Sequence, residues 1–221
     1  LKPIKINSEI LKLFELADLV LHPSLFTYKE YAKYFSTKKF KLVYHNDICV
    51  NYNAKYIPEI QKNINIGVMQ EISECKGKEF IDLLENKYNS YKNYSIVFWR
   101  LDKNMQTYVQ DTFYKTVKKY NFHCLLYLNK WGETHSYSLS YALNTGLPLL
   151  YNNFGAYKER IIENNHHFKV WENESECNNI NKLYDTFEQL LNYIIEHNGK
   201  YNQMCESLCI KYNPMYDQLF S

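Results

Sequence analysis

Short apolar runs alternate with helix-spaced patterns along most of the chain. Residues 10–17 carry helical spacing and lead into 18–22 (DLVLH), a strand that Pro23 and Ser24 stop. Residues 28–34 read as a helix and 41–45 (KLVYH) as the next strand. The polar stretch 51–63, broken by Pro58, reads as a linker, and Ile64, Ile66, Val68 and Met69 open a second series. A helix at 78–87 follows, with Phe80, Ile81, Leu83 and Leu84 on its apolar side. Strands at 94–99, 107–110, 124–128, 147–151 and 168–171 then alternate with helical patterns at 112–120, 137–144 and 156–162. Two longer helical patterns, 182–196 and 201–211, close the chain. The helical period is 3.6 and the strand period 2, so each segment can be assigned by its spacing. Strands recurring between helices predict βαβ units, and hence an α/β fold with a largely parallel sheet flanked by helices. The expected organisation is 1–50 packed on the main domain, 51–63 as linker, and 64–221 as the main domain with its carboxyl-terminal helices.

In such sheets ligands bind beyond the carboxyl ends of the strands, often at helix amino termini. That rule directs attention to the loops at 69–77, 100–106, 129–137 and 151–157. Neither GxGxxG nor GxxxxGK[ST] occurs, which removes the usual dinucleotide and nucleoside-triphosphate signatures.

Composition narrows the partners. The 26 basic and 24 acidic residues are interspersed, the net charge is +2, and no basic stripe announces a nucleic-acid track. Lys38-Lys39 and Lys118-Lys119 read as solvated helix ends. The only arginines are Arg100 and Arg160, and guanidinium groups favour carboxylates and phosphates. Cysteines 49, 75, 124, 177, 205 and 209 lack zinc-site spacing, so no metal is expected. They fit free thiols in a reducing compartment, the cytoplasm or the cytosolic face of a membrane. No apolar run reaches membrane-spanning length and no signal peptide is visible. The chain starts at Leu1 without methionine, so the expectation is a part of something longer.

Residues 131–160, WGETHSYSLSYALNTGLPLLYNNFGAYKER, concentrate the chemistry. Glu133 follows an apolar strand and precedes a helix whose first turn holds Ser136, Tyr137 and Ser138. Two readings stand side by side. Glu133 accepts hydrogen bonds from ligand hydroxyls while helix amides face an anion, or Thr134 or Ser136 caps the helix and Glu133 is solvated. Gly146 with Pro148 forms a helix stop, and Gly155 lets the next loop turn or approach a ligand. Arg160 suits a structural ion pair as well as a ligand contact. His135 reads as an exposed loop residue or a proton shuttle, and His166-His167 as a surface loop. His22 and His45 lie at strand ends.

The segment resembles the carboxyl-terminal, donor-binding domain of GT-B glycosyltransferases, especially the retaining family 4. Its members carry W-P-E-T-x-x-Y-x-L-x-E-A-x-x-x-G-L-P, then a Gly-containing loop and often Glu-Arg. Trp131, Glu133, Thr134, Tyr137, Leu139, Ala142, Gly146, Leu147, Pro148, Gly155, Glu159 and Arg160 match. Upstream, 17–24 (ADLVLHPS) and 41–48 (KLVYHNDI) look like the elements before the interdomain crossover, and Lys76-Gly77 resembles a Lys-Gly pair that binds donor phosphate. The resemblance implies a Rossmann-like lobe of a GT-B enzyme with a nucleotide sugar as substrate and no tightly bound cofactor. It implies roles for Glu133 in donor-sugar recognition and Lys76 in neutralising the leaving diphosphate, with Thr134, His135, Ser136, Tyr137 and Gly155 beside the donor. A hydroxyl-bearing acceptor would come from a missing amino-terminal lobe.

Three positions depart from the pattern. Tyr141 stands where a second glutamate binds the nucleotide ribose; Gln70-Glu71 replaces Gly-Arg before the lysine; Gly132 replaces proline. Arg100 is the expected substitute for the missing arginine. The leading expectation is the donor-binding part of a nucleotide-sugar-dependent glycosyltransferase, retaining, with the isolated 221-residue chain inactive. The alternative is a noncatalytic nucleotide-sugar or glycan-binding module, motivated by Tyr141 and Glu71.

Overall fold

In a computed structural model, residues 8–43, 58–106, 112–161 and 166–198 are described. They fall into two compact units, one holding 8–43 and the other the remaining three segments. The strand expected at 107–110, the helix expected at 201–211, and His45, Cys49, Cys205 and Cys209 lie outside the described residues.

The first unit is a short βαβ turn preceded by a helix. Helix α1 (Ser8–Leu16) leads to strand β1 (Val20–His22), helix α2 (Leu25–Ala32) and strand β2 (Phe40–Leu42). β1 and β2 pair in parallel, Val20 opposite Phe40 and His22 opposite Leu42. α2 begins three residues before the helical spacing predicts, because Ser24 and Thr27 form a reciprocal capping box. Phe14 stacks on Phe35 at 4.0 Å and His22 packs on Phe40 at 4.5 Å, so aromatic contact holds this small unit together.

The second unit is a six-stranded sheet in the order β4-β5-β3-β6-β7-β8. Its strands are β3 (Asn63–Val68), β4 (Ser90–Tyr91), β5 (Tyr94–Arg100), β6 (Phe122–Tyr127), β7 (Leu149–Tyr151) and β8 (Phe168–Lys169). All neighbours run parallel except β4, a two-residue hairpin arm on β5. The helices between them are α3 (Lys78–Lys87), α4 (Phe113–Lys119), α5 (Tyr137–Thr145), α6 (Tyr157–Arg160) and α7 (Ile180–Glu196).

Burial on both faces explains why the central strands lack alternation: every residue of β6 is buried. One face carries α3 and α7, whose Phe80, Ile81, Leu84, Leu183, Phe187, Leu190 and Leu191 pack with Trp171. The opposite face carries α4, α5 and α6, with Phe113, Leu139, Tyr141, Ala142 and Tyr157. Each large apolar side chain removed from water contributes roughly 1.5–3 kcal/mol, so these two layers stabilise the unit far more than any surface ion pair does. The long helix α7 repeats buried positions at 183, 187, 190, 191 and 194, and Asn179 caps it by accepting from the Lys182 amide at 3.2 Å.

The expectation of His166-His167 in a surface loop is corrected. Both are buried, and His166 bridges the Tyr193 hydroxyl at 2.8 Å and the Gly146 carbonyl at 2.7 Å. Only a contact between distant segments accounts for this, so local polarity misleads. The helix expected at 156–162 is shorter, with α6 ending at Arg160 and Ile161 extended. No helix among the described residues is long and apolar enough to cross a membrane.

The direction in which strands are added reverses at β3. The chain passes from β3 through α3 to β5 on one side, then crosses to β6 on the other. The crevice between the carboxyl ends of β3 and β6 is therefore the topological switch point, where ligands of such sheets bind.

Candidate functional site

Two loops meet at that crevice. The first follows β3 and runs through the 3₁₀ turn Glu74–Lys76 into α3. Gly77, at φ 76°, makes the corner, and a Cβ there would lie 1.8 Å from the Leu128 carbonyl oxygen. Any side chain would push this loop off the end of β6, which is why glycine follows Lys76. The second loop follows β6 and returns through Glu133 to α5. Glu133 bridges Gly155 in parallel fashion, and its carbonyl accepts from the Ala156 amide at 2.8 Å. A Cβ on Gly155 would come within 2.5 Å of the Glu133 nitrogen, so glycine permits this backbone approach.

This framework brings Lys76 and Glu133 into an ion pair, although 57 positions separate them. The lysine side chain is 28% exposed and the glutamate 12%. Asn129 Nδ2 donates to the same carboxylate oxygen, Oε1, at 2.6 Å. The other oxygen, Oε2, takes no hydrogen bond from any described residue and keeps contact with solvent. Lys76 Nζ likewise reaches no acceptor other than Glu133 among the described residues. An ammonium has three donors and a carboxylate about four acceptor positions, so the pair retains capacity for both an anion and a hydroxyl.

Asn129 is buried and central. Its Nδ2 also donates to the Tyr157 hydroxyl at 3.0 Å, its Oδ1 accepts from Gln70 Nε2 at 2.9 Å, and its carbonyl accepts from Asn152 Nδ2 at 2.9 Å. Gln70 Nε2 also donates to the Lys76 carbonyl at 3.3 Å. Burial, then the Glu133 charge, raises the Tyr157 hydroxyl well above the usual phenol range, so it stays protonated and reaches Ser136 Oγ at 3.5 Å. Sequence reading missed Gln70, Asn129 and Tyr157. Their signal lies in three-dimensional proximity, apart from Gln70, which already stood out as a replacement for glycine.

The rest of the expected site divides sharply. Thr134 and Tyr137 are exposed beside Glu133. Ser136 sits at the start of α5 with φ 67° and makes no side-chain cap, so the capping reading is not realised there. Its backbone carbonyl and that of His135 accept from Arg160 Nη1, and Arg160 Nη2 donates to Ser140 Oγ at 2.6 Å. Arg160 thus fixes the loop. His135 is buried, not exposed as a loop histidine would be, with its ring against Tyr137 at 5.0 Å.

Tyr141 turns into the apolar layer, its ring 5.5 Å from Phe113. Glu71 is exposed, so solvent and salt screen its charge.

Arg100 does not join this cluster. Its side chain is fully buried and makes four hydrogen bonds to carboxylates: to Asp102 at 3.0 and 2.8 Å, to Asp82 at 2.5 Å and to Glu85 at 2.6 Å. Burial alone would lower its pKa; the bonds to Asp102, Asp82 and Glu85 outweigh that and raise it. Among the described residues no group of three or more His, Cys, Asp or Glu could hold a metal ion.

No protein-family model and no curated protein sequence matches the chain. Solved structures do share its fold. Sucrose-phosphate synthase from Thermosynechococcus elongatus aligns with a TM-score of 0.64 at 12% identity, over 100% of this chain and 64% of that one. A mutant of S. aureus TarM in complex with Fondaparinux, alpha-GlcNAc-glycerol and UDP gives 0.62 at 12% identity, over 96% and 44%. The apo form of the lipopolysaccharide outer core galactosyltransferase WaaB gives 0.60 at 16% identity, over 92% and 60%. The chain therefore has a GT-B-like fold, an α/β fold whose largely parallel sheet matches a carboxyl-terminal lobe. It spans 44–64% of the length of these three proteins.

Proposed function

We propose that this chain is the donor-binding part of a nucleotide-sugar-dependent glycosyltransferase. It would serve transfer of a glycosyl group to a hydroxyl-bearing acceptor, with retention, as the family 4 resemblance of residues 131–160 implies. One observation carries the reading: at the switch point of the sheet, Lys76 and Glu133 meet with donors on one and an oxygen on the other that no described residue occupies. A nucleotide sugar presents the complementary pair, a diphosphate and sugar hydroxyls. TarM, which shares this fold, has been solved with UDP.

In this reading Lys76 turns from Glu133 to the diphosphate and stabilises the charge that grows as the anomeric C–O bond breaks. Glu133 Oε2 accepts from a sugar hydroxyl. The amino-terminal turn of α5, without a side-chain cap at Ser136, faces the phosphates with its positive dipole end, worth about 0.3–1 kcal/mol. Thr134, His135, Tyr137 and Gly155 form the wall of the donor site, and the bond to the acceptor oxygen forms on the side of a second lobe. The first 50 residues would be the elements before the interdomain crossover, joined by the linker at 51–63. The free thiols Cys75, Cys124 and Cys177 suit the cytoplasm or the cytosolic face of a membrane.

The alternative is a noncatalytic nucleotide-sugar or glycan-binding module. Tyr141 favours it, because its ring is buried against Phe113 where the family places a ribose-binding carboxylate. Loss of such a charge-assisted hydrogen bond costs about 1.5–3 kcal/mol, roughly tenfold to a hundredfold in binding.

Ligand-observed NMR against a panel of nucleotide sugars tests the shared core of both readings. Binding of at least one member, weakened in Lys76→Ala and Glu133→Ala, is the expected result. A folded protein that binds none, or variants that bind as the parent does, would remove the assignment. Robust transferase turnover by the isolated chain would contradict the expectation that it needs a second lobe.

A further inference from the structure

We infer that Asn129, aimed by Gln70, is the positioning residue that sets Glu133 for sugar recognition and fixes its spacing from Lys76. The inference rests on the donor-site reading above and adds two residues that the resemblance does not supply. Gln70 stands where the resembling enzymes carry glycine, so the device belongs to this chain.

The hydrogen bonds admit one direction only. An ionised Glu133 has no proton to donate, so the Asn129 atom 2.6 Å from its Oε1 must be the amide nitrogen. Flipping Asn129 would set two acceptors against each other in a buried site, which costs about as much as leaving a buried charged group unsatisfied. With nitrogen on Glu133 and Tyr157, the Asn129 oxygen faces Gln70, so Gln70 must present its own nitrogen. Both Gln70 protons are then assigned, one to Asn129 at 2.9 Å and one to the Lys76 carbonyl at 3.3 Å. The pair therefore holds Lys76 through its backbone and Glu133 through its carboxylate.

The consequence concerns selectivity. Asn129 and Lys76 both occupy Oε1, which turns Oε2 into the acceptor left for a sugar hydroxyl. When phosphate draws Lys76 away, Asn129 remains on Oε1 and keeps the carboxylate from rotating. Asn129 thus acts on the sugar half of the ligand through Glu133, while the phosphate half depends on Lys76. Its burial, 1% exposed, keeps it from touching the ligand itself.

The experiment measures one ratio, the affinity for a hexose conjugate of UDP, GDP or ADP over that for the parent nucleoside diphosphate, by calorimetry on the full chain. Asn129→Asp keeps the volume but sets a carboxylate against Glu133, and it should lower the ratio about tenfold. Gln70→Met keeps the packing, removes both donors and should lower the ratio in the same direction, so the test survives if Asn129→Asp fails to fold. In a Glu133→Gln background, Asn129→Asp should leave the ratio within about twofold, because the two residues act as a unit. Independent, additive losses across that cycle, or an unchanged ratio in folded Asn129→Asp and Gln70→Met, would overturn the inference while the donor reading stands. Failure of the parent protein to bind any of these nucleotides would instead overturn the donor reading, and this inference with it.

Discussion

Two cations lie at the carboxyl ends of neighbouring strands, and they are used in opposite ways. Arg100 ends β5 and is surrounded by Asp82, Glu85 and Asp102, with four hydrogen bonds and no exposed surface. Among the described residues, Lys76 follows β3 and meets a single carboxylate that itself keeps one oxygen unengaged. A saturated cluster has no valence left for a ligand, whereas a half-satisfied one does. Position at the rim of a parallel sheet therefore does not by itself define a site; the number of remaining donors and acceptors does.

The sharpest way to break the comparison is to remove each cation in turn. Arg100→Met would leave three carboxylates, each about 30% exposed, facing one another. The carboxylates are partly solvated, and Asp82 and Glu85 keep Lys78 and Lys103, so the loss of the Arg100 hydrogen bonds costs about 1.5–3 kcal/mol. Urea denaturation should show that loss, while nucleotide affinity per folded molecule stays within about twofold. A selective fall in affinity with stability intact would instead give Arg100 back the donor-phosphate role that its rarity implies.

Acid provides the second contrast. Burial holds His123 down to about 4, and burial with the neighbouring His166 charge holds His167 down to about 3. The unfolded chain takes up these protons near the ordinary value of 6.5, and the folded one does not. Their stability contribution is thus complete above pH 6.5 and is lost as pH falls toward 4 for His123 and 3 for His167. For His123 the loss is about 3 kcal/mol. Asp82 is desolvated, but hydrogen bonds from Lys78 and Arg100 outweigh that and lower its pKa, so this carboxylate stays ionised through most of this window. Urea midpoints at pH 7, 5.5 and 4.5 should decline steadily; a flat profile would mean that both imidazoles are solvated.

Much of this arrangement is visible in the residue pattern, and the exceptions share a cause. Helix α3 runs over the predicted 78–87 because its apolar spacing, Gly77 before it and the absence of breakers are all local. Gly146 and Pro148 mark the end of α5 for the same reason. The Lys76 and Glu133 positions emerge from motif resemblance, and the fold brings the two together. Asn129, Tyr157 and the buried His166 carry no local mark, since they hold partners 20 to 59 positions away along the chain. The β4 arm escapes notice because two residues paired across a tight turn are too short for any period to register. Arg100 misleads for a related reason: its rarity is a sequence property, but its three carboxylate partners are assembled by α3 and the turn after β5.

The central claim is that Lys76 and Glu133 form a half-satisfied pair that a nucleotide sugar completes. Calorimetric titration of UDP-glucose, GDP-mannose and ADP-glucose into the parent protein and Lys76→Ala tests it most directly. A partly exposed ion pair contributes no more than about 1 kcal/mol to stability, so the variant should unfold at nearly the same urea concentration. Its affinity for whichever nucleotide sugar binds should fall about tenfold or more. Equal affinity in the two proteins, with both folded, would contradict the account.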